Sequence, residues 1–511
     1  MNHQDKIDLF LQKKKHQLGM GGEKKLKTRA AEGKMNARER IAYLYDPGTF
    51  QEIGLFTHSN WPGMAEKTPG DGKITGYGRI QGRPVGTVAN DLTVLGASSA
   101  ATNMKRIEYM RALCCEKGMP LVWLAESAGA RMPDTMGSSG MGQGGQNPAQ
   151  YRRLREAPWI STLLGPCFGS SSWYSAMSDI NVMLKGAAMA VSSPKVTQIA
   201  TGETTPMEEL GGWKLHAETT GLVDAVGETE QACIDLAKKY LSYLPLHANE
   251  PAPRAAVPEE SGKNLSSILD LLPEKLNRAY DMKKIIETVV DDGQFLELKG
   301  AYARPCITAF ARLDGHSVGV VANNPLYGAG ALTADCCDKV TNFLVLCDSF
   351  NIPIIMFVDT PGFMIGKSGE KKKVTGKIIN WMNALALMTV PVLTVIVRKC
   401  YGQAYLNMGG GKHSSSIVAW PTAQIGFMDP RPGINVVYNL KEEDDPERYA
   451  ELLKQMDRDA EPWGAAGMFG LNDVIDPRET REFLIRMLEL HRNRLKGSIG
   501  EHLMHCWPTS Y

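Results

Sequence analysis

The chain repeats itself at one fixed spacing, and this repeat limits its fold more than any other feature. Residues 78–97 read GRIQGRPVGTVANDLTVLGA and residues 311–330 read ARLDGHSVGVVANNPLYGAG, with matching positions 233 apart. The same spacing relates LVWLAESAG, ending at Gly129, to IIMFVDTPG, ending at Gly362. It also relates GPCFG at 165–169 to RKCYG at 398–402. One spacing kept over so long a stretch indicates two copies of one fold.

Each copy has the order of elements that is typical of an α/β domain. A two-residue turn (81–82 and 314–315) joins two Val-rich stretches, which predicts a β-hairpin. Next come stretches with helical spacing of apolar residues, and then continuous apolar strands. The predicted helices are 103–116 and 334–350, and the predicted strands are 120–125 and 353–359. Strands that alternate with helices predict a sheet covered by helices, so we expect two tandem α/β domains. Residues 247–264, rich in Pro, Ala and charge, predict a linker between them.

Charge and composition exclude several classes of function. Lys and Arg total 57 and Asp and Glu total 56, which argues against a nucleic-acid protein with a broad basic surface. No apolar run reaches the roughly 18 residues of a membrane helix. The first residues also lack the apolar segment of a secretory signal peptide. The ten cysteines include no CxxC, which favours reduced, buried thiols. We therefore expect a cytoplasmic protein.

Two matching glycine turns are candidate catalytic elements. GPCFGSSS at 165–172 and KCYGQAY at 399–405 each follow an apolar strand and precede a predicted helix. Small residues at such a turn leave backbone N–H groups free at a helix N-terminus. Two such groups can stabilise an oxyanion, for instance the enolate of a thioester. A tight turn required only for packing is the alternative for either loop alone. Because both halves contain the turn, we expect two stabilised oxyanions.

Other motifs carry weaker signals. The glycines of 140–145 imitate a nucleotide-binding loop, but they lie in a predicted polar loop with no preceding strand. His502 and His505 have the chemistry of metal ligands, although a solvated tail or an oligomer contact is the stronger interpretation. His216 is either an acid or ligand partner or a hydrogen-bonded structural histidine. The basic stretch 367–377 is either a site for phosphates or an acidic partner, or a solvated loop. We find no obvious side-chain base.

A series of longer motifs runs from about residue 37 to residue 494. They are ARERI (37–41), SAGAR (127–131), GPCFG (165–169), TGE and EELGG (within 201–212), LSYLP (241–245), YDM (280–282), VANNP (321–325), CDSFNIPI (347–354), VDTPGF (358–363), RKCYGQAY (398–405), AWPTAQI (419–425) and DVIDPRETR (473–481). In combination they resemble the carboxyltransferase β subunits of biotin-dependent acyl-CoA carboxylases, above all the propionyl-CoA carboxylase type.

The resemblance implies two tandem crotonase-like domains of α/β class, residues 1–255 and 265–511, in a hexamer built as a trimer of dimers. It implies that the N-terminal half binds acyl-CoA and that the C-terminal half receives carboxybiotin from a separate carrier protein. The active site would lie between the N-terminal half of one subunit and the C-terminal half of its dimer partner. The implied partners are a biotin carboxylase and a biotin carboxyl carrier subunit, since no AMKM-like biotinylation sequence occurs here. No metal is expected in this chain.

The resemblance also assigns site residues one by one. Catalytic amides fall on Gly169 and Ser170 for the acyl side and on Gly402, Gln403 and Ala404 for the biotin side. The substrate-binding residues are Ala128, Gly129, Ala130, Arg131, Phe168 and Leu406, and the biotin-binding residues are Gly362, Phe363 and Tyr401. The family usually has a second glycine where this chain has Ser170 and Gln403, so that a side chain stands beside each turn.

The function implied is transfer of a carboxyl group from carboxybiotin to the α-carbon of an acyl-CoA through an enolate. One alternative keeps the fold and reverses the chemistry, giving a decarboxylase of a malonyl-type or other dicarboxylic acyl-CoA, with or without biotin. Another alternative is a non-catalytic scaffold subunit. The sequence leaves the acyl group and the direction of the reaction open.

Overall fold

The computed structural model describes residues 2–143, 151–152, 154–492 and 495–508 of the 511-residue chain. It divides into two compact units, Met1–Ala248 and Asn249–Tyr511. The division falls within the Pro-rich segment 247–264.

The first unit contains helices and strands in alternation. Its strands are β1 Gln51–Ile53, β2 Lys73–Ile80, β3 Arg83–Asn90, β4 Leu121–Ser127, β5 Trp159–Phe168, β6 Ile180–Leu184, β7 Ala188–Ala190 and β8 Ala225–Gly227. Its α-helices are α1 His3–Leu18, α2 Glu23–Ala31, α3 Ala37–Leu44, α4 Ala101–Lys117, α5 Met132–Thr135, α6 Gly137–Gln143, α7 Ser170–Met177, α8 Pro194–Thr201, α9 Met207–Gly211 and α10 Glu230–Tyr243.

The second unit has the same strand pattern. Its strands are β9 Phe295–Leu298, β10 Cys306–Leu313, β11 His316–Asn323, β12 Ile354–Thr360, β13 Val392–Tyr401, β14 Ser416–Ala419, β15 Gln424–Gly426 and β16 Asp473–Val474. Its α-helices are α11 Met282–Val289, α12 Ala334–Ser349, α13 Lys367–Lys371, α14 Val374–Ala386, α15 Gln403–Asn407, α16 Pro430–Tyr438, α17 Pro446–Asp459, α18 Pro462–Gly467 and α19 Thr480–Arg492.

Within the described residues each unit builds one eight-stranded sheet. The first sheet has the order β1-β2-β3-β4-β5-β6-β8, with β7 beside β5, and the second has β16-β14-β13-β12-β11-β10-β9, with β15 beside β13. The hairpin strands pair antiparallel, whereas β3, β4, β5 and β6 pair parallel, as do β11, β12, β13 and β14. The predicted α/β class is therefore confirmed.

The repeat predicts the two hairpins correctly. Strands β2 and β3 are joined by Gln81 and Gly82, whose φ angles are 51° and 76°, and Asp314 and Gly315 have 50° and 75°. Two successive positive φ values match the right-handed twist of a tight hairpin. The predicted helices and apolar strands also lie where α4, α12, β4 and β12 form.

Two segments predicted as loops are helical. Residues 137–143 form α6, and the remainder of the glycine-rich stretch 140–145 lies outside the described residues. The basic stretch 367–377 forms α13 and the start of α14, in which Lys372 pairs with Asp335 and Lys377 pairs with Asp338. The two loop predictions were therefore wrong, because they relied on the glycine, serine and lysine content of these segments.

In the part of the chain that the structure describes, no helix is both long and apolar enough to cross a bilayer. The cysteines are free thiols and most are buried, as expected from the sequence.

The two hairpin turns give a matched test of packing. Replacing Gly82 by alanine adds a Cβ in open space, so we expect a loss of about 1 kcal/mol from the left-handed backbone alone. A Cβ at Gly315 would lie 2.1 Å from the Ala255 carbonyl oxygen, so Gly315→Ala should cost distinctly more. Denaturant titration of both variants measures the difference, and equal losses would contradict the contact.

Candidate active site

Three loops meet at the carboxyl ends of the parallel strands β3, β4 and β5. The loop after β3 reaches Ser99, whose amide donates to the Gly129 carbonyl while its carbonyl accepts from the Arg131 amide, both at 2.8 Å. These bonds pair Ser99 with Ala130 in the loop after β4. The turn after β5 lies against this loop, since a Cβ built at Gly169 would be 3.9 Å from the Ala130 nitrogen. Ligands of parallel α/β sheets bind at such an edge.

The turn after β5 has a backbone conformation that requires glycine. Gly169 has φ 61° and ψ −129°, and its repeat equivalent Gly402 has φ 60° and ψ −142°. Side chains strongly disfavour this region because the Cβ clashes with the backbone. The conformation lets α7 begin at Ser170, with Gly169 alone between the helix and the end of β5, so the helix N-terminus lies at the sheet edge.

The core of the first unit fixes α7 in place. Tyr174 of α7 stacks on Trp123 of β4, with ring centroids 5.0 Å apart, and both side chains are buried. Arg111 of α4 covers the neighbouring Trp159 ring at 4.7 Å. Aromatic pairs of this kind add to the free energy of burial, and they hold the first turn of α7 beside the loop after β4.

The free amides of this site differ from the prediction in one respect. The sequence predicts that the Gly169 amide is free to bind an oxyanion. In the structure this amide donates to the Val191 carbonyl at 3.1 Å and is not free. The Ser172 and Trp173 amides both donate to the Gly169 carbonyl. The amides of Ala130 and Ser170 have no acceptor within the described residues. The Ser171 amide, the equivalent of the Ala404 amide, also has no acceptor there, but only Ala130 and Ser170 of these three line the cavity described below, so we take them as the donors of this site.

The second unit repeats this arrangement, with the same correction. The Gly402 amide donates to the Gly426 carbonyl at 2.9 Å and is not free. Leu332 pairs with Phe363 as Ser99 pairs with Ala130. Across the described part of the unit, no acceptor meets the amides of Phe363, Gln403 and Ala404. Phe363 and Gln403 are thus the equivalents of Ala130 and Ser170.

A cavity of about 430 Å³ lies beside the free amides of the first unit. Its lining residues are Asn60, Trp61, Ser99, Ala100, Ala101, Met104, Ala130, Asp134, Thr135, Gly140, Met141, Gly169, Ser170 and Trp173. Two tryptophans and two methionines give it apolar walls, and the few polar groups lie among them. This composition is typical of a small-molecule site.

The other acyl-side residues have different surroundings. Ala128 is exposed, Gly129 and Phe168 are buried, and Leu406 is half-buried on α15 of the second unit. The Arg131 side chain is buried, and its guanidinium donates to Asp71 at 2.5 Å and to Ser98. Arg131 therefore holds the loop in place, and its side chain is not free to contact a ligand, which corrects the prediction for this residue.

On the biotin side, Tyr401 is buried and its hydroxyl donates to Gln424 Oε1 at 2.6 Å. Phe363 meets the Trp381 ring edge-on at 6.2 Å, and Gly362 lies beside the Tyr401 carbonyl. The Gln403 side chain is exposed and donates to Asn407 at 3.0 Å, which directs it along its own helix.

Sequence reasoning missed a buried acid at the end of each central strand. Glu126 of β4 is 2% exposed and accepts from Arg29 at 2.6 Å and from Arg40 at 2.7 Å. The repeat equivalent of Glu126 is Asp359 of β12. Burial raises the pKa of Asp359, and the cations of Lys399 and Arg398 oppose this shift. The sequence does contain a signal for these acids, because LAES at 124–127 and FVDT at 357–360 have an acidic residue at matching positions of the repeat.

The remaining sequence candidates are structural. His216 is buried, and its ring contacts the Met189 carbonyl at 2.7 Å and the Thr220 hydroxyl at 3.0 Å. Burial lowers the pKa of His216, which favours the neutral form of the ring. His502 contacts Asn351 at 2.7 Å. No group of three or more His, Cys, Asp or Glu side chains suited to a metal ion occurs among the described residues.

Each of the two tandem α/β units thus has free amides at a glycine turn, as the repeat in the sequence predicts. The chain belongs to the carboxyl transferase domain family, which matches residues 28–502. The family predicted from the sequence motifs is therefore confirmed, as is a carboxyltransferase enzyme.

The similarity to relatives and to a solved structure extends over nearly the whole chain. The carboxyltransferase subunit of propionyl-CoA carboxylase from Haloferax mediterranei is 37% identical over 97% of this chain and 98% of that protein. The methylmalonyl-CoA decarboxylase subunit alpha from Veillonella parvula is 35% identical over 95% and 96%. The transcarboxylase 12S structure, a hexamer with methylmalonyl-coenzyme A and methylmalonic acid bound, matches with TM-score 0.91, 32% identity and 97% coverage of each chain.

The buried acid gives a stability prediction. Replacing Glu126 by alanine leaves two buried cations, Arg29 and Arg40, to share the carboxylate of Glu230, and we expect a loss of about 3–5 kcal/mol because the buried charges no longer balance. Glu23→Ala, which breaks the exposed pair with Lys27, is the control and should change stability little. Denaturant titration compares the two variants. Similar losses for both would contradict a structural role for the Glu126 network.

Proposed function

We propose that the chain is the carboxyltransferase component of a biotin-dependent enzyme, and that it moves a carboxyl group from carboxybiotin to the α-carbon of an acyl-CoA. The observation that carries the proposal is the pair of free amides, Ala130 and Ser170, at the wall of an apolar cavity. The equivalent amides of Phe363 and Gln403 in the second unit support a second oxyanion site.

On the acyl side, the thioester oxygen accepts hydrogen bonds from Ala130 and Ser170. Negative charge develops on this oxygen as the α-carbon loses its proton, and fixed amides at the start of α7 stabilise that charge. The apolar walls exclude water and strengthen both hydrogen bonds. The amides therefore lower the barrier to the thioester enolate, whose α-carbon takes up the carboxyl group.

On the biotin side, the ureido oxygen of biotin is a hydrogen-bond acceptor and suits the amides of Phe363, Gln403 and Ala404. When bound, carboxybiotin supplies the carboxyl group and an acceptor for the α-proton. Among the described residues that line the cavity there is no histidine or lysine to act as that acceptor. Asp134 is the one titratable side chain among the described lining residues, and its carboxylate accepts from Ser59 and lies 3.5 Å from Arg131.

The assembly is proposed by analogy with the relatives. A hexamer is described for transcarboxylase 12S, and we propose the same for this chain, with a biotin carboxylase and a carrier subunit as partners. Residues 1–255 would provide the acyl-CoA half and residues 265–511 the biotin half. A cytoplasmic location stays a prediction from the sequence.

Decarboxylation is the second candidate, favoured by the likeness to methylmalonyl-CoA decarboxylase subunit alpha. The same enolate forms when a malonyl-type thioester loses its carboxyl group, so the same amides would serve. The free amides in both units argue against a scaffold without catalytic activity.

The test uses the full chain with free biotin and malonyl-CoA or methylmalonyl-CoA. We expect CO₂ release that depends on biotin, because carboxyl transfer to biotin runs the reaction backwards. Adding a carboxylase, a carrier, ATP and bicarbonate should then carboxylate an acyl-CoA. Release of CO₂ without such synthesis would favour the decarboxylase, and no reaction with any thioester would contradict both activities.

Valine at the two glycine turns should separate the two sides of the reaction. Gly169→Val displaces the Ser170 amide because a β-branched residue cannot hold φ 61°, and turnover should fall by at least about 10²-fold. Gly402→Val should abolish carboxyl transfer while acyl-CoA affinity changes little. Steady-state rates and calorimetric titration of acyl-CoA measure these effects.

Gly186→Val provides the control for backbone strain. Gly186 is exposed, has φ 86° and has open space around it, but it lines no part of the cavity. We expect this variant to retain activity. Full activity of Gly169→Val, or an equal loss of acyl-CoA binding in Gly402→Val, would contradict the assignment of the two turns.

A further inference from the structure

A pair of serine hydroxyls joins two of the loops that form the acyl-side site. The Ser99 and Ser170 Oγ atoms lie 2.7 Å apart, and both residues are buried and line the cavity. Neither the Ser99 nor the Ser170 hydroxyl has another hydrogen-bond partner within the described residues. Within the described residues, each of the two hydroxyls therefore has the other as its hydrogen-bond partner.

The position of Ser99 links this bond to the Ala130 amide. Ser99 exchanges two backbone hydrogen bonds with Gly129 and Arg131, the residues on either side of Ala130. The backbone of Ser99 and that of Ala130 therefore form one unit. The Ser170 hydroxyl belongs to the residue whose amide is the other free donor. The hydroxyl bond thus connects the elements that carry the two donors.

The second unit lacks this connection at equivalent positions. Leu332 takes the place of Ser99, and Gln403 takes the place of Ser170. Leu332 is fully buried, whereas the Gln403 side chain is exposed and bonds to Asn407 of its own helix. The repeat therefore keeps the free amides in both units but has the hydroxyl bond in the first unit alone.

We propose that Ser99 and Ser170 are positioning residues, a hydroxyl clamp that sets the distance between the Ala130 and Ser170 amides for the thioester oxygen. The proposal rests on the proposed function. A clamp of this kind acts on the transition state, because fixed donor positions matter most where charge has developed. Its loss should lower kcat and leave acyl-CoA binding almost unchanged.

The experiment is a double-mutant cycle with Ser99→Ala, Ser170→Ala and the double variant, assayed by biotin-dependent CO₂ release from methylmalonyl-CoA. Each single variant should lose roughly tenfold in kcat with KM changed by less than about twofold. The double variant should be no slower than either single variant, because the same bond is lost each time. Ser99→Thr keeps a hydroxyl and should restore most of the rate.

Ser414→Ala is the matched control. It removes another hydroxyl–hydroxyl bond, to Thr394 at 2.6 Å, in the second unit and between residues that do not line the cavity. Its kcat should equal that of the unmodified chain. Losses in the two single variants that multiply in the double variant, or a rise in KM at constant kcat, would overturn the clamp.

A stability cycle separates failure of the clamp from failure of the proposed function. The thermal unfolding midpoints of the same four proteins report the Ser99–Ser170 coupling without any substrate. Additive midpoint shifts would overturn the clamp even in an active enzyme. Midpoint shifts that are not additive, in a protein that releases no CO₂, would instead overturn the proposed function while supporting the Ser99–Ser170 bond.

Discussion

The site depends on one backbone conformation, the positive φ of the glycine that follows β5 and of its equivalent that follows β13. It lets a helix begin one glycine after a parallel strand ends, with its first amide at the sheet edge. Each glycine is held by its own amide, which donates to the short strand segment alongside, at Val191 or Gly426. The amides left free for a ligand are those of the next residue, Ser170 or Gln403, and of the loop after the neighbouring strand, at Ala130 or Phe363.

Both units keep this geometry while the residues around it have diverged. The buried acids Glu126 and Asp359 occupy equivalent strand ends, but Glu126 is neutralised by arginines of the N-terminal helices α2 and α3 and Asp359 by Arg398 and Lys399 of its own sheet. Gly165, the equivalent of Arg398, has no side chain, and a Cβ there would collide with Glu126. A buried carboxylate at equivalent positions is thus neutralised by different parts of the chain in the two units.

The repeat made much of the fold predictable, because a fixed spacing carries register as well as composition. It located the hairpins, the central strands and both glycine turns. The helices at 137–143 and 367–377 were missed because their glycine, serine and lysine content imitates a loop. The roles of Gly169 and Arg131 were misjudged for another reason. The Gly169 amide meets Val191 through strand pairing, and Arg131 meets Asp71 from a distant part of the chain. Such contacts depend on tertiary structure, which local patterns do not contain.

We propose that backbone amides, and not side chains, polarise the thioester carbonyl in the first unit. Infrared spectroscopy of an acyl-CoA labelled with ¹³C at this carbonyl measures that polarisation directly, since hydrogen bonding lowers the C=O stretching frequency. We expect the bound thioester to absorb at lower frequency than in water, with the shift lost in Gly169→Val and kept in Gly186→Val. A bound carbonyl that absorbs at or above its frequency in water would contradict the account.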